Sequence, residues 1–223
     1  VSRNNAGLSA ERIITEALRI IDGQGLRRLT MRRLGDALEV EAMAVYHHFP
    51  LGKEQLFDAI VEYVTDVSRP ERTGTEGTDG DADGGTAPAG EAAQDDRPWD
   101  ERLRSWAHDY RAALLRHSGA LPLFIHRRPD TEAALHALEL HYAAFAEAGL
   151  EGADIVRAAA ALDAYVTGAV IGQVRGDGLA GANPAVLDGR FPTVARLRGL
   201  DPDPRTAFDA GLEALLRSLA GDA

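Results

Sequence analysis

The chain has no cysteine. Disulfides and thiolate metal sites are therefore excluded, and a reducing compartment is the natural fit. Lysine is almost missing too, with Lys53 the single lysine among 24 basic side chains. With abundant alanine, that bias fits a GC-rich genome and says nothing of mechanism. No apolar run reaches the roughly 18 unbroken residues of a membrane span. The opening VSRNNAGLSAERI carries no apolar stretch behind a basic start, so no signal peptide is expected and the cytoplasm is the expected location. No glycine-rich phosphate loop or triad spacing occurs, and His108 beside Asp109 forms no nucleophile pair, so no catalytic residue and no cofactor is expected. Positive charge is in deficit overall, with a net charge of -11.

That deficit at first argues against a nucleic-acid partner, but its distribution answers the objection. Residues 1–53 hold eight basic side chains against six acidic ones, whereas residues 70–96 hold eight acids and one base. Much of the negative charge thus sits in one segment, and a global charge says little about a local face.

What is present is a succession of helical periods. Ser9 caps AERIITEALRIIDGQG, whose Ile13, Ile14, Ala17, Leu18 and Ile21 share a face, with Gly23 and Gly25 ending it. Thr30 caps MRRLGDAL. Glu39-Val40-Glu41 turns the chain into a short helix from Ala42 to His48, stopped by Pro50. A helix from Lys53 follows. Residues 68–98 then lose nearly all large apolar side chains and read as an acidic disordered loop, either inert or a brake that competes with phosphate for the basic face. Beyond Trp99 come a helix with Leu103, Trp106, Tyr110 and Leu114 in register, and an apolar piece at 120–127 broken by Pro122. A helix capped by Asp130, a long Ala/Gly-rich helix ending at Gly176, a Gly/Pro loop, a short VARLRGL piece and a last helix complete the chain. The expected fold is all-α. A helix-turn-helix DNA-binding domain is expected over 1–52, a connecting helix over 53–67, the acidic loop over 68–98, and a larger helical domain over 99–223.

Leu29 to Phe57 carries the functional signal. A helix-turn-helix lays its second helix in the major groove while the first braces it. Leu34, Leu38, Val40 and Val45 supply the bracing face. Ala42 and Ala44 keep the reading helix slim, and Met43 suits a thymine methyl. Arg32 reaches a guanine bidentately. Tyr46, His48 and Lys53 donate to phosphates, which sets register without reading sequence. Tyr46 and His47 also have interior readings. Glu41 is unfavourable beside phosphate unless it accepts from a cytosine amine. The adjacent histidines point in different directions on a helix, so no metal is expected there.

These residues resemble the TetR family of transcriptional regulators. The resemblance rests on Leu29-Thr30-Met31-Arg32-Arg33-Leu34, Leu38-Glu39-Val40, Val45-Tyr46-His47-His48-Phe49 and Lys53-Glu54-Gln55-Leu56, within about residues 9–66. It implies an all-α homodimer that binds a palindromic operator and releases it when a small molecule binds the C-terminal domain. The family's DNA contacts then fall on Thr30, Arg32, Ala42, Met43, Ala44, Tyr46, His48 and Lys53. The chain departs from the pattern at Ala42 and Ala44, where polar residues are common, and at Glu39, where glycine is usual. AAALDAYVTGAVIGQ and FDAGLEALLRSLA resemble the dimerisation helices of the tetracycline-repressor branch.

An effector cavity should be mostly apolar with a few polar groups. Trp106, Tyr110, Phe124, His141, Tyr142, Phe145, Tyr165 and Gln173 are the candidates, each with an ordinary core reading beside it. His136 and His141 diverge on a helix and make a poor metal face. Two rivals stand beside the repressor: an all-α enzyme or ligand carrier with an incidental helix-turn-helix, and a nucleoid-type DNA binder without an effector.

Overall fold

The computed structural model describes residues 7–66, 95–126, 131–176, 191–197, 200 and 203–220. The acidic segment from 68 to 94, the Gly/Pro loop from 177 to 190, and Asp130 lie outside the described residues. Helices α1 (Ala10–Gln24), α2 (Met31–Ala37), α3 (Ala42–His48) and α4 (Lys53–Thr65) form the N-terminal head. Helices α5 (Trp99–Arg116), α6 (Leu121–His126), α7 (Glu132–Glu147), α8 (Ala153–Arg175), α9 (Pro192–Leu197) and α10 (Pro204–Ala220) form the body. No strand occurs among the described residues.

Local rules account for most helix ends. Ser9 accepts a hydrogen bond from the Arg12 amide at 3.1 Å and starts α1. Gly25, at φ 86°, stops it, while Gly23 stays inside the last turn rather than ending the helix. The hydroxyl that caps α7 belongs to Thr131, which accepts from the Ala134 amide at 3.3 Å. A threonine there serves as well as the expected Asp130, because either side-chain oxygen meets an orphan amide of the first turn. Pro122 does not break its segment. It sits in the first turn of α6, where an amide hydrogen has no intrahelical partner to lose. Helix α4 ends at Thr65, two residues before the expected boundary.

The head buries Ile13, Leu18, Ile21, Leu34, Val45, Leu56 and Ile60 in one cluster, which continues into Leu103, Leu114, Phe145, Leu162 and Val166 of the body. Helix α4 packs against α5, α6 and α7. A second contact joins the end of α1 to the 3₁₀ turn Ser118–Ala120. There His117 Nδ1 lies 2.8 Å from Asp22 Oδ2. Gly119 leaves no room for a side chain, since a Cβ would stand 2.8 Å from the Ile21 carbonyl oxygen. The head is therefore held to the body through both α4 and the end of α1.

Helix α8 is the one described helix long and apolar enough to cross a membrane. It packs on α5, α7 and α10, so part of that apolarity serves the core. Val156 and Val174 stay exposed on its outer side.

Candidate DNA-reading face and buried aromatic cluster

The reading face begins with how closely α2 meets α3. Gly35 stands where a Cβ would lie 3.0 Å from the Val40 carbonyl oxygen and 3.2 Å from Ala42 backbone atoms. Only glycine allows that approach without moving backbone. The turn closes as a Schellman motif, with the Val40 amide donating to Gly35 O at 2.9 Å and the Glu39 amide to Asp36 O at 3.3 Å. Glu39 takes φ 59°, the one non-glycine residue with positive φ among those described. This is the left-handed position where glycine is usual, and glutamate is strained there. Sequence reasoning marked Glu39 as unusual but missed Gly35, whose constraint is a contact between helices.

Leu34, Leu38, Val40 and Val45 are all buried, as the bracing role requires. Thr30 caps α2 by accepting from the Arg33 amide at 3.1 Å and leaves Arg32 exposed in the first turn. On α3, Met43 is 63% exposed, Tyr46 and His48 face solvent, and Ala42 is half-buried. His47 is exposed as well, not interior. Ala44 stands apart from the other candidates. At 6% exposed it packs inward, so its small size serves the seat of the helix. Glu41 precedes α3 and is exposed, and its side chain makes no capping bond. Lys53 sits with its Nζ 5.0 Å from the centroid of the Phe57 ring, which steadies its stem at the start of α4. Gly52, at φ 74°, lies under Tyr46, where a Cβ would be 3.3 Å from Tyr46 Cε1. Thr30, Arg32, Ala42, Met43, Tyr46, His48 and Lys53 are thus at least partly accessible on neighbouring elements of one head.

The eight effector candidates separate into groups. Trp106 and Tyr110 are one helical turn apart on α5, and their rings stack at 5.0 Å. His141, on α7, meets Trp106 edge-on at 4.1 Å. Phe145 lies one turn further and is fully buried. Phe124 and Tyr142 are half-buried against the same core. Burial drives the His141 imidazole down to about 4, so it is neutral near pH 7. Burial, with the charge of Asp163 adding, pushes the Tyr110 phenol up to about 12 against the opposing hydrogen bond to Thr167. Tyr165 and Gln173 belong elsewhere. The Tyr165 hydroxyl donates to the Phe208 carbonyl at 2.7 Å, and its ring stacks on Phe208. Gln173 accepts from Arg111 Nη2 at 2.7 Å. Both tie α8 to other helices through polar contacts that the sequence did not signal. Nearby, Arg104 bridges Asp100 and Glu213, which joins α5 to α10 and holds both carboxyls below their usual range.

Comparison with known proteins follows the same division. Residues 13–60 match the family model for bacterial regulatory proteins of the tetR family. Residues 91–217 match the model for the tetracyclin repressor-like C-terminal domain. The chain belongs to the TetR family. This TetR-family chain is 30% identical to the class D tetracycline repressor protein of Escherichia coli, over 95% of the chain and 89% of that protein. It is 28% identical to an HTH-type transcriptional regulator of Saccharopolyspora erythraea, over 100% of the chain and 89% of that protein. Among solved structures, a possible TetR family regulator from Streptomyces coelicolor A3(2) superposes with a TM-score of 0.71 at 26% identity, covering 95% of this chain and 98% of that one. The molecule is a DNA-binding transcriptional regulator of that family, with a tetracyclin repressor-like C-terminal domain.

Proposed function

We propose that this TetR-family repressor acts as a homodimer on a palindromic operator, and that a small molecule in the body releases it. The exposed set Arg32, Met43, Tyr46, His48 and Lys53 around a tightly closed turn carries the DNA part of this reading. Arg32 donates to a guanine, Met43 meets a thymine methyl, and Tyr46, His48 and Lys53 hold phosphates. The buried aromatic cluster of Trp106, Tyr110, His141 and Phe145 is the effector site, opened when the ligand enters. Coupling to the head is supported by α7, which carries His141 and also packs on α4. Tyr165 and Gln173 shape the α8 and α10 side instead.

The apolar outer side of α8, with Val156 and Val174 uncovered, is where a second copy fits. Together with α10 it makes a four-helix interface that sets two reading helices about 34 Å apart on DNA. No catalytic step is assigned, and the protein works in the bacterial cytoplasm. The test is a mobility-shift assay on the DNA flanking its own gene. A salt-sensitive, sequence-specific complex of two chains per site is expected, and binding without sequence preference would refute the reading.

A further inference from the structure

Sulfur occurs at two positions in this chain, Met31 and Met43, since there is no cysteine. The fold treats the two in opposite ways. Met31 is 8% exposed and packs in the same cluster as Leu34 and Val45. Met43 is 63% exposed on α3, between half-buried Ala42 and inward-facing Ala44. An oxidant from solvent therefore meets the Met43 thioether and is kept from that of Met31.

Local packing holds Met43 on the outer side. A Cβ on Gly35 would stand 3.2 Å from Ala42 backbone atoms, so α2 and α3 leave no gap between them there. Ala44 and Val45 close the inner side of α3. A Met43 side chain made more polar has no interior place to turn into, and the core of the head does not depend on its polarity. Its neighbours Ala42 and Ala44 carry no polar side-chain atom that could pair with it. The nearest charged side chain in sequence is Glu41, an exposed carboxylate that only accepts. A thioether suits a thymine methyl. A sulfoxide in its place adds a strong acceptor with no donor, beside a carboxylate and against a methyl that cannot pair with it. Burying such a group unpaired is costly.

We infer that Met43 is an oxidation site through which a two-electron oxidant of the peroxide class weakens operator binding. The sulfur lone pair attacks one peroxide oxygen. An S–O bond forms as the O–O bond breaks, and the departing hydroxide takes the proton of the transferred oxygen and leaves as water. Sulfur loses two electrons and the peroxide gains them. Methionine sulfoxide reductases reverse the change. The inference rests on the reading of Met43 as a groove-facing residue. It gives the protein a redox input that needs neither a cysteine nor a ligand in the body.

The test treats the full chain with hydrogen peroxide, maps oxidation by peptide mass spectrometry, and measures affinity for the duplex identified in the mobility-shift assay. Met43 should gain one oxygen atom well before Met31, and bound duplex should slow that gain. Affinity should fall about 10-fold on oxidation, the scale of one base contact, with the melting temperature nearly unchanged. Methionine sulfoxide reductases of both epimer specificities should restore it. Met43→Leu, treated in the same way, should keep its own untreated affinity. That ratio is taken within one variant, so any change in basal binding cancels. If the duplex shields Met43 but its oxidation leaves affinity unchanged, the redox input is overturned and the reading face stands. If the duplex gives no shielding, Met43 is not at the groove and both fall. Oxidation of Met31 as fast as Met43, or an equal loss in Met43→Leu, overturns Met43 as the site.

Discussion

The head and the body handle buried polarity in opposite ways. Among the described residues, the buried side-chain atoms without a hydrogen-bond partner are Arg102 Nε, Trp106 Nε1, His141 Nε2 and Asp209 Oδ1, the last 3.5 Å from His108 Nε2, and every one lies in the body. In the head, the side chains of Ser9 and Thr30 cap their helices, and its charged groups mostly point outward. The head is thus a finished apolar wedge whose partner lies outside it. The body has polar groups still waiting inside. A DNA reader needs a rigid shape that changes little on binding, while an effector chamber needs interior groups that only a ligand satisfies.

The largest expected effect breaks the comparison on the body side. The folded His141 imidazole titrates at about 4, below the ordinary value of 6.5. The unfolded chain therefore binds the extra proton first as pH falls. Stability contributed by neutral, buried His141 is present above pH 6.5 and drains away toward pH 4. The loss is roughly 3 kcal/mol, since each tenfold rise in proton concentration between those two values costs about 1.4 kcal/mol. Urea unfolding from pH 7 to 4 should show this decline, and His141→Phe should flatten it; an equally steep decline in that variant would exclude His141 as the cause.

On the head side, Gly35→Ala forces a Cβ against the backbone of Val40 and Ala42. Overpacking of this kind costs about 1–3 kcal/mol. Thermal unfolding should come earlier and operator affinity should fall with it. A variant as stable as the parent would mean the turn can open without cost.

Arg32→Ala sharpens the comparison by touching only the outer surface. Operator affinity should drop by about 1–3 kcal/mol with the melting temperature nearly unchanged. Fluorescence anisotropy with operator and scrambled duplexes measures it, and an equal loss on both would make Arg32 a phosphate contact rather than a base reader.

The smallest effect is a gain. Glu39→Gly relieves the left-handed conformation at the turn and should stabilise the head by about 1 kcal/mol. Chemical denaturation that shows no gain would place compensation in the Glu39 side chain.

The helices of the head and body, the caps at Ser9 and Thr30 and the buried bracing face were legible because they follow from local chemistry. A helical period, a hydroxyl before an apolar run and a glycine after it act within one turn. Family membership was legible at Leu29 to Phe57 for the same reason, since a reading head needs fixed residue types at fixed short spacing. The sequence alone therefore determined an all-α regulator with a helix-turn-helix. The tertiary structure decided that Ala44 turns inward while Met43 faces out, and that Gly35 sits where two helices leave little room for a side chain. It also decided that Trp106 meets His141, whereas Tyr165 is occupied by Phe208. Those facts depend on how helices distant in sequence cross. Helical periodicity shows which residues share a face, but the crossing of two helices selects the side chains that meet.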